Sequence, residues 1–147
     1  MFKHILVPTD GSQFSQDAVR RAVSFARDAG ASITAFYAKH QYRDPSYYVG
    51  GEAIYLNPGE GEADEERRAA EILGFVEDLC QEAGVTCSKL TLASNVVYEA
   101  IIEAASSSDC DLIFMASHGR RGLSALLLGS ETHKVLTHSK IPVLVHR

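Results

Sequence analysis

The sequence predicts an α/β domain, a parallel sheet covered by helices on both faces. Three observations carry that expectation. Short apolar runs such as Ile5-Leu6-Val7, Leu112 to Met115 and Ile141-Pro-Val-Leu-Val145 alternate with longer segments whose apolar residues recur at helical spacing. The first two runs are unbroken rather than alternating, as suits strands buried on both sides. The length of 147 residues is that of one domain with a sizeable core, so a single domain over 1–147 is expected.

Phe2 to Thr9 is expected as the first strand, with Pro8 at its exit because proline cannot donate to a ladder. Asp10-Gly11-Ser12 supplies the turn, and Ser12 or Ser15 caps the next helix. That helix sets Ala18, Ala22, Phe25, Ala26 and Ala29 on one stripe, with Arg20, Arg21, Arg27 and Asp28 away from it, and ends at Gly30. Ser32 to Ala38 is the second strand.

Residues 39–62 look the least ordered, holding Pro45, Gly50, Gly51, Pro58, Gly59 and Gly61. Four of the six tyrosines, Tyr42, Tyr47, Tyr48 and Tyr55, also fall there. Two readings stand: a surface loop with locally packed tyrosines, or a lid or partner-docking surface.

A second helix is expected over Ala63–Ala83, with Ala69, Ile72, Leu73, Val76, Leu79 or Cys80, and Ala83 inward. Its opening charge run, Asp64 to Arg68, reads as a solvated face. Gly84 ends it and Thr86 to Ala93 forms the third strand. A third helix runs from about Val96 to Ala105, with Val97, Ala100, Ile101, Ala104 and Ala105 inward. Ser106 to Ser108 turns into the fourth strand at Leu112. The last helix is expected over roughly Ser124–His138 and the fifth strand over Ile141–His146.

Composition narrows the function. A net charge of −5 argues against a general nucleic-acid partner, because phosphate backbones need a basic surface. It leaves nucleotides open, since a few local N–H groups can hold a phosphate. Cys80, Cys87 and Cys110 are not spaced as metal ligands and cannot all pair, which fits reduced thiols in a cytoplasmic protein. No signal peptide or membrane span is expected. There is no G-x-x-x-x-G-K-[ST] loop and no G-x-S-x-G elbow, which removes the P-loop NTPases and the α/β-hydrolases.

One stretch organises the rest. From Leu112 a strand runs into Ala116, the chain then breaks at Gly119 and Gly122, and Gly129-Ser130 stands ahead of an amphipathic segment holding Val135 and Leu136. A serine at such a place can cap a helix, and the free N–H groups after it suit an anion. This stretch resembles the nucleotide-binding signature of the universal stress proteins, G-x2-G-x9-G-[ST], on Ala116, Gly119, Gly129 and Ser130, with alanine in place of the first glycine. Gly122 is an extra glycine inside the spacer. Ile5-Leu-Val-Pro-Thr-Asp-Gly-Ser12 looks like the family's first strand and loop, and Ile141–Val145 like its last strand.

The resemblance implies a Rossmann-like three-layer sandwich whose five parallel strands lie in the order 3-2-1-4-5. The switch point of that order lies between strands one and four, where open α/β sheets bind ligands. It implies ATP or AMP as ligand, with or without Mg²⁺. Pro8, Thr9 and Asp10 match positions around adenine and ribose, Ala38 matches a small residue beside adenine, and Met115 a position facing the base. Gly119, Gly129, Ser130 and Thr132 match phosphate contacts through backbone N–H groups and hydroxyls, and Glu131 would contribute its backbone alone. From the residues themselves, Asp10 can equally cap the first helix, Met115 can equally be core, and Arg120 and Arg121 can neutralise phosphate or lie solvated. His118 is not expected to be catalytic, having no acid near it in sequence, and His133 reads as a surface residue.

A cytoplasmic nucleotide-binding sensor or regulator is thus the expectation, with at most very slow ATP hydrolysis. The alternative is a stress protein working through protein contacts alone, which Ala116 favours. The resemblance further implies a homodimer through Ile141–Val145, an exposed apolar edge.

Overall fold

The computed structural model describes residues 1–41, 46–49, 52–55, 58–119 and 127–147, with those between 46 and 60 described by backbone alone. The elements, in order, are β1 (His4–Pro8), α1 (Gln13–Ala29), β2 (Ser32–Lys39), β3 (Ser46–Val49), β4 (Glu52–Tyr55) and α2 (Pro58–Ala83). Then follow β5 (Cys87–Ala93), α3 (Val97–Ser107), β6 (Leu112–Ala116), α4 (Ser130–His138) and β7 (Val143–His146). One five-stranded sheet has the order β5-β2-β1-β6-β7, and every pairing in it is parallel. This is the expected 3-2-1-4-5, with β3 and β4 forming a separate antiparallel pair.

Alternation along the central strands divides the core in two. Ile5 and Val7 join Ile33, Ala35, Leu112 and Phe114 on one face, under Val19, Ala22 and Val23 of α1 and Leu73, Val76 and Cys80 of α2. Leu6, Phe36, Ile113 and Met115 face the other way, under Ala100, Ile101 and Ala104 of α3 and Val135 of α4. Ile5, Leu6 and Val7 are all buried, as a central strand sandwiched by helices requires. Burial of each large side chain contributes roughly 1.5–3 kcal/mol.

Several expectations are corrected. Residues 39–62 are not one unstructured connection, since β3 and β4 pair within them. Helix α2 starts at Pro58, not Ala63: proline suits the first position of a helix because its missing N–H would be unpaired there, so Gly59 and Gly61 lie inside the first turns. Ala29 and Val97 are exposed, whereas Val19 and Val23 fill the core beside Ala18, Ala22 and Ala26. The residues described before α4, 127–129, are not helical, and α4 begins at Ser130. Ser130 is therefore its first residue rather than its cap, and Leu136 lies on its exposed side. The last strand is shorter than expected, β7 starting only after Pro142.

The charge run at the start of α2 is not wholly a solvated face. Glu65 is buried, accepting a 2.5 Å hydrogen bond from the Tyr37 hydroxyl and a 3.2 Å bond from the His40 N–H. Burial first, then this bond, pushes the Tyr37 phenol well above its ordinary range. An acid in this run is tolerated inside because both donors come to it from the end of β2.

Candidate functional site

The C-terminal edge of the sheet collects the loops leaving β1 and β6, which are neighbours in the strand order. The loop after β1 is tied by its own side chains. The Thr9 and Ser15 hydroxyls are hydrogen-bonded to each other, Gly11 N donates to Thr9 Oγ1 at 3.2 Å, and Asp10 N donates to Ser15 Oγ at 3.2 Å. Ser12 is the cap of α1, its side chain accepting from Ser15 N at 3.3 Å. Asp10 Oδ1 accepts from Ser12 N at 2.9 Å, so the carboxylate shapes the turn, while the cap itself is Ser12.

The loop after β6 is built from small residues. Ala116 ends the strand opposite His146 of β7, is buried, and has no left-handed backbone angle. Alanine fits this position without strain, as extended conformation is open to every residue. Gly119 lies against Asp10, for a Cβ placed there would stand 2.8 Å from Asp10 Oδ2. A Cβ on Gly129 would meet Ser117 O at 3.1 Å and the His118 Cα at 3.3 Å. Gly129 has φ −60°, so its lack of a side chain answers close packing rather than a special backbone angle.

Helix α4 is docked onto this loop from below its first turn. Gly129 N donates to Ser117 O at 2.7 Å, and the buried Thr132 hydroxyl donates to Ala116 O at 2.9 Å. The cap position is Gly129, and no side chain caps the helix there. Helix geometry leaves the first-turn N–H groups of Ser130, Glu131 and Thr132 without partners inside the helix, and the helix dipole adds partial positive charge. Glu131 uses its carboxylate elsewhere, Oε2 accepting from Tyr98 N at 2.9 Å in the first turn of α3, which has no side-chain cap of its own.

The structure thus gathers Asp10, Ala116, Gly119, Gly129 and Thr132 into one place, with Ser130 and Glu131 at the mouth of α4. Pro8, Ala38 and Met115 share the sheet face on which α3 and α4 pack: Pro8 follows Leu6 by two residues, and Ala38 and Met115 belong to that core. The Met115 side chain is buried in this core. Arg120, Arg121 and Gly122 lie outside the described residues, as do the side chains of Tyr42, Tyr47, Tyr48 and Tyr55. His118 is buried, with Nδ1 2.9 Å from Ser117 Oγ and its ring 6.0 Å from that of Phe14, whereas His133 is exposed. A cleft of about 340 Å³ opens from Thr9 and Gly11 toward Gln16, Arg68, Glu71, Ile72 and Phe75, on the side of α1 and α2. Among the described residues no group of three or more His, Cys, Asp or Glu could hold a metal ion.

Sequence reasoning missed Ser117 and the Glu131 carboxylate as parts of this architecture, and named Ser15 only as an alternative cap to Ser12. A buried serine carries little periodic signal, and a carboxylate that caps a different helix carries none.

Comparison with known proteins gives consistent results. The model of the universal stress protein family matches residues 1–147. The chain is 33% identical to universal stress protein MJ0531 of Methanocaldococcus jannaschii, over 99% of this chain and 82% of that one. It is 32% identical to a universal stress protein of Thermus aquaticus over the whole of both. A crystal structure of a universal stress protein in complex with cAMP superposes with a TM-score of 0.72 at 26% identity, covering 99% of this chain and 97% of the other.

Proposed function

The chain belongs to the universal stress protein family, and from that premise we propose that it binds an adenine nucleotide, ATP or AMP, where β1 and β6 end, and acts as a stress sensor or regulator. The observation that carries this reading is the start of α4. Its cap residue is a glycine, so no side chain at the cap position takes up the first-turn N–H groups, and Gly119 brings the neighbouring loop close to Asp10. An anion fits such a helix start, and a carboxylate one loop away fits the hydroxyls of a ribose. A solved relative that holds cAMP supports the same class of ligand.

In this reading Pro8, Thr9, Ala38, Met115 and Ala116 flank the base and ribose, and Gly119, Gly129, Ser130, Glu131 and Thr132 border the phosphates. Thr132 takes part through its N–H, since its hydroxyl serves Ala116. Mg²⁺, where present, would arrive with the phosphates. Hydrolysis is slow in this scheme: His118, beside Gly119, has its Nδ1 hydrogen-bonded with Ser117 and its ring packed on Phe14. His118→Ala should leave affinity and turnover nearly unchanged.

The same premise makes β7 an assembly surface. It is an edge strand of four half-buried residues, so a two-fold copy can pair along it, in keeping with a cytoplasmic homodimer. No helix among the described residues is long and apolar enough to cross a membrane. Replacing Val143 and Val145 with lysine should give a smaller species in light scattering, and a wild type that is already monomeric at micromolar concentration refutes the assembly.

The competing reading, a stress protein acting only through protein contacts, draws on Ala116 in place of the first signature glycine. Mass spectrometry of freshly purified, denatured protein separates the two. Released ATP or AMP supports the nucleotide reading. If none is released and calorimetry with ATP and Mg²⁺ is also silent, the protein-contact reading replaces it.

A further inference from the structure

The joint between α2 and β5 holds two of the three cysteines, and neither takes part in the nucleotide crevice. Cys80 lies in the last turn of α2 and is fully buried; Cys87 opens β5 and is half-buried on an edge strand of the sheet. Residues 81–86 link them through a turn at Gly84, and Val85 N returns to donate to Cys80 O at 2.8 Å. Both side chains belong to the core on the α1 and α2 side of the sheet. Cys110 belongs to the opposite core, with the sheet between.

The pair is chemically unequal. The Cys87 thiol donates to Ser88 O at 3.6 Å, and each thiol bears on the other: Cys87 raises Cys80, whereas Cys80 lowers Cys87, so Cys87 ionises more readily. Burial opposes ionisation at Cys87, as does Glu77, while the Ala35 backbone and Lys89, on the same strand face, favour it. Lys89 is itself ion-paired with Glu77 of α2. A half-buried thiol that ionises more readily, with a second thiol in the same core across the six-residue turn 81–86, is the arrangement of an attacking and a resolving cysteine.

We propose that Cys80 and Cys87 are a modification site at which a hydroperoxide installs a reversible disulfide, joining the end of α2 to the start of β5. The Cys87 thiolate attacks the terminal oxygen of the hydroperoxide. The S–O bond forms as the O–O bond breaks, and the departing alkoxide takes up a proton to leave as an alcohol, or as water from hydrogen peroxide. The Cys80 sulfur then attacks the Cys87 sulfenic acid. The S–S bond forms, the S–O bond breaks, and hydroxide leaves as water with the proton of Cys80. The two thiols lose two electrons and the peroxide gains them. A dithiol reductant reverses the step by exchange.

The test treats the reduced protein with hydrogen peroxide, denatures it, labels remaining thiols with N-ethylmaleimide and maps peptides by mass. The expected result is loss of two of the three labelled thiols, one intrachain Cys80–Cys87 linkage, a labelled Cys110 and recovery of all three labels after dithiothreitol. Cys110→Ser should form the same linkage, and Cys87→Ser should keep its two remaining thiols. Because Cys80 is wholly buried, the wild-type peptide map is decisive whether or not Cys80→Ala folds. Three labelled thiols after peroxide overturn the proposal, as do oxygen added to Cys87 without a linkage and links through Cys110 or between chains.

Discussion

Helices α1 and α4 both leave the C-terminal edge of the sheet, one after β1 and the other after β6, yet their first turns are finished by different means. The start of α1 is finished by side chains: Ser12 takes up the first-turn N–H of Ser15, and Ser15, Thr9 and Asp10 take up the N–H groups of Asp10, Gly11 and Ser12 in the loop before it. The start of α4 is docked from beneath, Gly129 N to Ser117 and the Thr132 hydroxyl to Ala116, with no side chain at its cap. The first arrangement spends a first-turn donor and those of the preceding loop on the fold. The second holds the helix through Gly129 N and the Thr132 hydroxyl, leaving its first-turn N–H groups without partners inside the helix, at a position where Gly129 leaves no room for a side chain. A helix end suits an anion when the protein secures it without a side chain at its cap.

The comparison can be broken most severely at Gly129. Gly129→Val places carbon against Ser117 O and the His118 backbone and should weaken nucleotide binding on the order of a hundredfold, about 2.7 kcal/mol, in titration calorimetry. Unchanged affinity would remove α4 from the site. Thr132→Val keeps the shape but deletes the donor to Ala116, so thermal unfolding should show a loss of about 1–2 kcal/mol, accompanied by weaker binding. Ser12→Ala should cost about 1 kcal/mol of stability with nucleotide affinity unchanged, because that cap serves only the fold. A matching drop in affinity would show that the two helix starts are not separate in function. The smallest effect is expected at Ala116→Gly, with affinity within about threefold of wild type and stability lower by about 0.5–1 kcal/mol, since the strand does not need glycine there. If wild type is silent and Ala116→Gly binds, the methyl group itself is the obstacle.

Local pattern was enough for most elements because their signals are local. Unbroken apolar runs mark β1 and β6, and Gly30 and Gly84 mark helix ends with left-handed backbone. The strand order came from family resemblance, since periodicity does not say which strands become neighbours. Two of the failures share a cause: they depend on partners distant in sequence. Glu65 reads as one more charge in a solvated run until Tyr37 and His40 arrive from β2. Glu131 reads as a bystander beside the phosphates until α3 supplies Tyr98 N. The start of α2 was misplaced for the opposite reason, local glycine signals outweighing a proline well suited to a first helical turn. At the candidate site, the resemblance was legible from the spacing of Ala116, Gly119 and Gly129, but the contact between Gly119 and Asp10 joins two loops and needed three dimensions.

The carboxylate of Glu131 ties the beginning of α3 to the beginning of α4 across 33 positions of sequence. Neither end can fray alone without giving up that bond, so the two open as one local unit. A molecule held by the N–H groups of α4 would raise the cost of that opening for both. Amide exchange at Tyr98 should then slow when nucleotide is present, although Tyr98 lies in another helix, and in Glu131→Ala that protection should be lost. Occupancy of the crevice would be reported on the surface of α3, in the lifetime of a helix end.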